Sequence, residues 1–207
     1  MSMPHYWHWT NESSWRDAER DEPLVKEDAA MTTAPTTHHL AASAATPSLT
    51  DLVAAVRQAI DERASWAHTA QLVAGQLRAH LPGPHILTPD QRRGDPDRPA
   101  GHLLHAEPDG TFSILGLVWR PGQSTRIHDH ITWCVVGVLA GTEHEELFDE
   151  ALNPIGARDN RPGEVSGFAP PGDIHRIRNH SSETAISMHI YGTDITRVGS
   201  SARRYYN

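Results

Sequence analysis

The chain has 207 residues, 38% of them apolar, enough for one moderate core and an extension but not for two full domains. Lys and Arg number 18 against 26 Asp and Glu, and the net charge of −8 has the wrong sign for holding nucleic acid or anionic lipid through a general positive field. A single cysteine excludes an internal disulfide, and without an apolar run of leader or membrane-spanning length the expected setting is the cytoplasm, with neither nucleic acid nor membrane as partner.

Residues 1–46 show no helical or strand period. They pass from a polar stretch with interspersed aromatics, His5 to Trp15, through a charged run, Arg16 to Glu27, into an Ala/Thr-rich segment ending at Thr46. A disordered extension is expected, and His5 and His8 beside Trp7 and Trp9 are assigned no site. The pattern changes at Ser48, which with Asp51 makes a capping-box start, and the folded domain is expected over 47–207. Leu49, Leu52, Val53, Val56 and Ile60 recur at helical spacing and predict a helix to about Arg63. Trp66, Val73, Leu77 and Leu81 predict a second, stopped at Pro82-Gly83-Pro84, where proline cannot continue the hydrogen-bond ladder.

A loop rich in Asp, Arg and Pro is expected over 88–101. Beyond it come turn signals at Asp109-Gly110, Pro121-Gly122, Gly141, Asn153-Pro154, Pro162-Gly163 and Pro171-Gly172. Between them lie strand candidates at 111–119, 127–139, 143–148, 164–168, 175–178 and 185–191, rich in the β-branched and aromatic residues that suit a pleated surface. Short strands at this spacing predict an all-β sandwich or barrel behind the N-terminal helices.

The composition has one anomaly, its 15 histidines. His128 and His130 stand two apart on a predicted strand, so both rings project from one face and can reach one ion. His175 opens a later strand after Pro170-Pro171-Gly172, and antiparallel pairing can bring it beside them. Three neutral imidazoles would occupy one side of a metal and leave the other open. Ser187, His189 and Tyr191 alternate on another predicted strand and so share a side, as a hydrogen-bond chain requires.

The run Gly122-x5-His128-x-His130-x3-Cys134-x6-Gly141 resembles the first cupin motif, with Cys134 where many cupins place a glutamate ligand. Pro170-x-Gly172-x2-His175-x3-Asn179 resembles the second. The resemblance implies an all-β core, a cupin double-stranded β-helix or jelly-roll barrel, with N-terminal α-helices. The missing carboxylate, together with Ile127, Asp129, Trp133, Leu147-Phe148, Arg176-Ile177 and Ser187-x-His189-x-Tyr191, is similar to the thiol dioxygenases over about 48–191. That family includes cysteine dioxygenase and 3-mercaptopropionate dioxygenase.

The resemblance implies that His128, His130 and His175 bind Fe(II) without a carboxylate. It also implies that Ser187, His189 and Tyr191 form a relay whose tyrosine hydroxyl faces the iron. The implied partners are a small-molecule thiol or thione and O2, and the product is a sulfinic acid. The chemistry is self-consistent, since a thiol on a divalent metal is deprotonated and its negative charge takes the place of the absent carboxylate. Some members join a cysteine at the Cys134 position to the catalytic tyrosine by a thioether, which makes a Cys134–Tyr191 bond an expectation.

Members that oxidise cysteine carry an arginine for the substrate carboxylate shortly before the strand preceding the His pair, and 3-mercaptopropionate enzymes tend to carry glutamine. Alignment on Leu103-Leu104 places Gly101 there, with His102 the other candidate. A lost polar clamp argues for a thiol other than cysteine, either 3-mercaptopropionate-like or a bulkier thiol-imidazole of the ergothioneine kind. Arg120, Arg126, Arg176 and Arg197 could bind a carboxylate instead, and none is assigned. Two other functions fit the same histidines, namely a cupin isomerase or dioxygenase acting on a non-thiol substrate and a non-catalytic metal-binding cupin.

Overall fold

A computed structural model describes residues 48–206, so the extension expected over 1–46, with His5 and His8, lies outside the described residues. Helix α1, Leu49–Asp61, starts where the sequence places it, because the Ser48 side chain accepts from the Asp51 N–H and the Asp51 carboxylate accepts from the Ser48 N–H. Helix α2, Trp66–Ala79, is capped by Ser65 and ends before Pro82. Leu52, Val53 and Val56 of α1 and Val73 and Leu77 of α2 are buried in one core with Ile114, Val135, Ile186, Met188 and Ile190 of the strands. The helices approach the sheet closely at Gly137, where a Cβ would lie 2.7 Å from Leu81 and 3.0 Å from Leu77.

Ten strands follow: β1 Ala100–Ala106, β2 Ser113–Trp119, β3 Ile127–His130, β4 Cys134–Ala140, β5 Glu143–Phe148, β6 Pro154–Asn160, β7 Val165–Phe168, β8 His175–Arg178, β9 Ala185–Tyr191 and β10 Ala202–Tyr206. A one-turn helix, α3 Ile195–Val198, precedes the last. They form two five-stranded antiparallel sheets, β1-β2-β9-β4-β7 and β10-β3-β8-β5-β6. This is the expected jelly roll with N-terminal helices. Strand β9 is buried at every position. Ile186, Met188 and Ile190 join the helical core, while Ser187, His189 and Tyr191 alternate with them on the opposite side of the sheet. Among the described residues no helix is long and apolar enough to cross a membrane.

Two expectations need correction. The single strand expected over 127–139 is two strands in different sheets, turning at Ile131-Thr132-Trp133. The corner is held by Ile131 N–H on the Ser201 carbonyl at 2.9 Å and by the Thr132 hydroxyl on the Gly192 carbonyl at 3.0 Å. No Gly or Pro turn signal lies between His130 and Cys134 to mark where the chain changes sheets. Strands β1, β6 and β10 are not among the strand candidates, and the loop expected over 88–101 ends in β1. All three are sheet edges, exposed or only partly buried along their length, so no alternation of apolar residues announces them.

Candidate metal centre

His128 and His130 lie on one side of β3, and His175, the first residue of β8, pairs with His128 across the ladder. All three are buried, and their ring centroids are 4.8, 4.7 and 5.0 Å apart. One nitrogen from each falls within 4.8 Å of the others. Asp129, between the two β3 histidines, turns to the opposite side and accepts hydrogen bonds from Arg203, Arg204 and Tyr206 of β10. That edge strand therefore fixes β3 at the residue between the candidate ligands.

Each imidazole is held by its Nδ1. His128 meets the Arg126 carbonyl at 3.0 Å, His130 the Asp173 carboxylate at 3.0 Å, and His175 the Glu145 carboxylate at 2.7 Å. Carbonyl and carboxylate oxygens only accept, so each Nδ1 carries the proton and each Nε2 presents a lone pair. The Nε2 of His175 is buried and has no hydrogen-bond partner, an orphan that a cation would satisfy. Burial, then the neighbouring imidazoles, lowers the pKa of His128 to about 3, which keeps it in the neutral form a metal requires. The residues present thus fit a divalent transition metal on chemistry and geometry.

Asp173 also accepts from the His130 backbone N–H at 2.9 Å. Burial raises the pKa of Glu145, but the hydrogen bond from His175 and the nearby Arg158 outweigh it and bring it to about 2. The sequence reading missed both carboxylates. Glu143 and Glu145 are charged residues at alternate positions of a strand, both buried here, and that alternation was the available signal. A second cluster, His144, Asp159 and His180, is partly exposed, and His144 Nδ1 is bonded to Asp159 at 2.7 Å.

On β9 the three alternating residues are connected. Ser187 Oγ is 3.0 Å from His189 Nε2, and His189 Nδ1 is 3.1 Å from the Tyr191 hydroxyl. The Trp119 indole N–H donates to Ser187 Oγ at 3.3 Å. Burial lowers the His189 pKa to about 3 and raises that of Tyr191 well above its usual value, so the ring is neutral and the phenol protonated at pH 7. Cys134 is a buried free thiol directly opposite Tyr191 in the β4–β9 ladder, the placement the expected thioether needs. Phe168 packs on His130 and His175 at 5.0 and 5.1 Å and on the cluster of Cys134, Val136 and Tyr191. It thereby links the imidazoles to the tyrosine.

A Cβ on Gly101 would meet Leu117 at 3.2 Å and Leu115 at 3.8 Å, and Leu115 packs against the Tyr191 cluster. His102 is the next residue along β1, so its side chain leaves from the other face of the strand. The expected clamp position is therefore apolar. Arg120 is exposed, Arg176 is bound to Glu146, and Arg197 is bound to Asp194. Arg126 stacks 4.9 Å over Tyr205, whose ring centroid is 6.1 Å from that of His128.

Comparison with known proteins adds the following. The family model described as cysteine dioxygenase type I matches residues 90–203. Cysteine dioxygenase type 1 of Danio rerio is 30% identical over 94 residues, 41% of this chain and 47% of that protein. The protein of the same name from Homo sapiens is 32% identical over 91 residues, 40% of this chain and 46% of its own length. The chain thus spans about half the length of the curated relatives it matches. Among solved structures, TT1209 from Thermus thermophilus is 21% identical with a TM-score of 0.41, covering 52% of this chain and 97% of that one. An uncharacterized conserved protein with a double-stranded beta-helix domain from Klebsiella pneumoniae is 15% identical with a TM-score of 0.43, covering 52% and 89%.

Proposed function

Because the chain belongs to the cysteine dioxygenase type I family, we propose that it is an iron(II)-dependent thiol dioxygenase that converts a small-molecule thiol or thione and O2 into a sulfinic acid. The observation that carries this reading is the set of three buried imidazoles, each committed through Nδ1 and each presenting Nε2 inward. Iron(II) on these ligands would supply the Lewis acidity that deprotonates the thiol and the electrons that activate dioxygen.

The protein's part is positioning. Glu145 and Asp173 aim two of the three rings and keep their tautomers fixed. Phe168 packs its apolar ring against two of the imidazoles and limits water on that side. Tyr191, held by His189 and Ser187, would hydrogen-bond the reacting oxygen or sulfur from a protonated phenol.

The substrate is a thiol other than cysteine, 3-mercaptopropionate-like or a bulkier thiol-imidazole. Supporting this, Gly101 stands where cysteine-oxidising members carry an arginine, and its neighbours are the partly buried, apolar Leu115 and Leu117. A missing guanidinium removes the bidentate partner of a carboxylate. A reducing, cytoplasmic setting is supported by the single, unpaired cysteine.

The test is oxygen uptake by iron-loaded protein with cysteine, 3-mercaptopropionate, cysteamine and thio-imidazoles, with labelled O2 and mass analysis of the product. A sulfinate carrying both labelled atoms is expected, with cysteine turned over more slowly than the best substrate. No uptake with any of these thiols at full iron loading overturns the thiol reading and leaves the two other cupin functions. Cysteine as the best substrate overturns the choice of thiol alone.

A further inference from the structure

Glu143 opens β5 with its side chain fully buried, and neither carboxyl oxygen has a hydrogen-bond partner. An ionisable group so enclosed and so unsatisfied needs an explanation, because the desolvation of a lone carboxylate is among the largest local costs a fold can carry. It is not one of the candidate ligands, and it sits behind the β9 chain. The dipoles acting on it are the Ser187 hydroxyl and the Trp119 indole N–H. From its own strand it faces the Glu145 carboxylate, and from β9 the Tyr191 phenol senses its charge. On the β6 side its ladder partner is the uncharged Asn160.

The bonding capacity of Ser187 makes this position consequential. A hydroxyl has one proton and two lone pairs. Trp119 N–H, which can only donate, takes one lone pair. One proton and one lone pair remain for His189 Nε2 and for Glu143. If Glu143 is ionised it can only accept, so its charge draws the Ser187 proton towards it, although no hydrogen bond between them is formed in this structure, and Ser187 must then accept from an Nε2–H of His189. His189 Nδ1 is then a bare acceptor, and the Tyr191 O–H is spent on it. If Glu143 is protonated, one proton has been taken up from solvent, and the carboxylic acid presents an O–H to the Ser187 oxygen in place of a negative charge. Ser187 then donates to His189 Nε2, the ring proton resides on Nδ1 and is given to the Tyr191 oxygen, and the phenol proton is released for another acceptor.

We propose that Glu143 is a positioning residue that sets the direction of the Ser187–His189–Tyr191 chain, and with it whether Tyr191 offers the metal site a proton or a lone pair. The inference rests on the proposed role of Tyr191 as a donor to the reacting atoms. Burial first, then the Glu145 charge, raises the Glu143 pKa, opposed by the Ser187 and Trp119 dipoles, to about 7, so both directions are populated near neutrality. His189 stays uncharged in both states, as its own low pKa of about 3 requires. Protonated Glu143 is thus the state that makes Tyr191 a donor, and the donor form is gained as pH falls through Glu143's pKa.

The test reads the tautomer of His189 by 15N NMR in the full chain loaded with diamagnetic zinc, titrated between about pH 5.5 and 8.5. The unaltered protein is expected to pass from Nδ1–H at low pH to Nε2–H at high pH with a midpoint within about one unit of 7. In Glu143→Gln, which cannot change charge, the transition is expected to vanish while the Ser187–His189 contact persists. A single His189 tautomer throughout the range in the unaltered protein overturns the proposal, as does an unchanged transition in Glu143→Gln. The unaltered arm stands even if the variant fails to fold. The readout needs no turnover, so an inactive protein with the tautomer switch, and an active one without it, are told apart.

Discussion

Replacing His175 with alanine is expected to abolish oxidation and to strip the protein of its metal. The ring is one of three candidate donors, and its Nε2 has no hydrogen-bond partner. Metal-binding free energies of about 10–16 kcal/mol spread over three or four ligands assign each about 2.5–5 kcal/mol, so one lost ligand lowers affinity by about 10²–10⁴-fold. Removal also leaves Glu145 without its His175 donor inside the sheet, which adds a stability cost of about 1–3 kcal/mol. His180→Ala, in the exposed cluster beside His144, is the control and should keep both metal and activity. Metal analysis after desalting, paired with oxygen uptake, checks this. Full metal content in His175→Ala would remove that ring from the ligand set.

The second large effect is expected at Glu145, which joins the candidate ligand to the scaffold. Its carboxylate accepts from His175 Nδ1 at 2.7 Å and from Arg158 Nε at 2.7 Å, and is 2% exposed. Glu145→Ala frees the His175 ring to rotate and to exchange tautomers, and loss of such a partner lowers metal affinity by about 10–100-fold. It also breaks a buried charge pair, for which about 3–5 kcal/mol is usual. The lower end is expected here because the Arg158 side chain is 38% exposed and can turn to water. Glu145→Gln keeps an acceptor for His175 and should retain more metal than Glu145→Ala while losing the Arg158 ion pair. Denaturant unfolding with and without metal separates the two contributions. Equal metal affinity in all three proteins would mean that Glu145 supports the fold and not the ligand.

The candidate ligands and the candidate relay were legible in the sequence because their spacing is local. His128-x-His130 and Ser187-x-His189-x-Tyr191 need only the two-residue period of a strand to share a face. The pairing of His128 with His175 was reachable from the turn before His175. The groups that aim the rings were not read. Asp173 and Glu145 reach His130 and His175 from 43 and 30 residues away, and nothing local marks a carboxylate as an imidazole's partner. Edge strand β10 was missed for a related reason. Arg203, Arg204 and Tyr206 look like a solvated tail until their shared partner, the buried Asp129, is seen across the sheet. The corner at Ile131-Thr132-Trp133 was not read because both flanking strands are buried and no Gly or Pro turn signal separates them.

The central claim is that His128, His130 and His175 hold one metal ion and leave it open to a thiol. It is tested most directly by anaerobic titration of the iron-loaded protein with 3-mercaptopropionate and thio-imidazoles while the magnetic and optical spectra of the iron are followed. One equivalent of the right thiol should change the spectrum to that of a sulfur-ligated iron, and the change should be absent from His175→Ala. Iron bound in full by the His128, His130 and His175 triple alanine variant, or a spectrum that no thiol in the series alters at saturation, would contradict it.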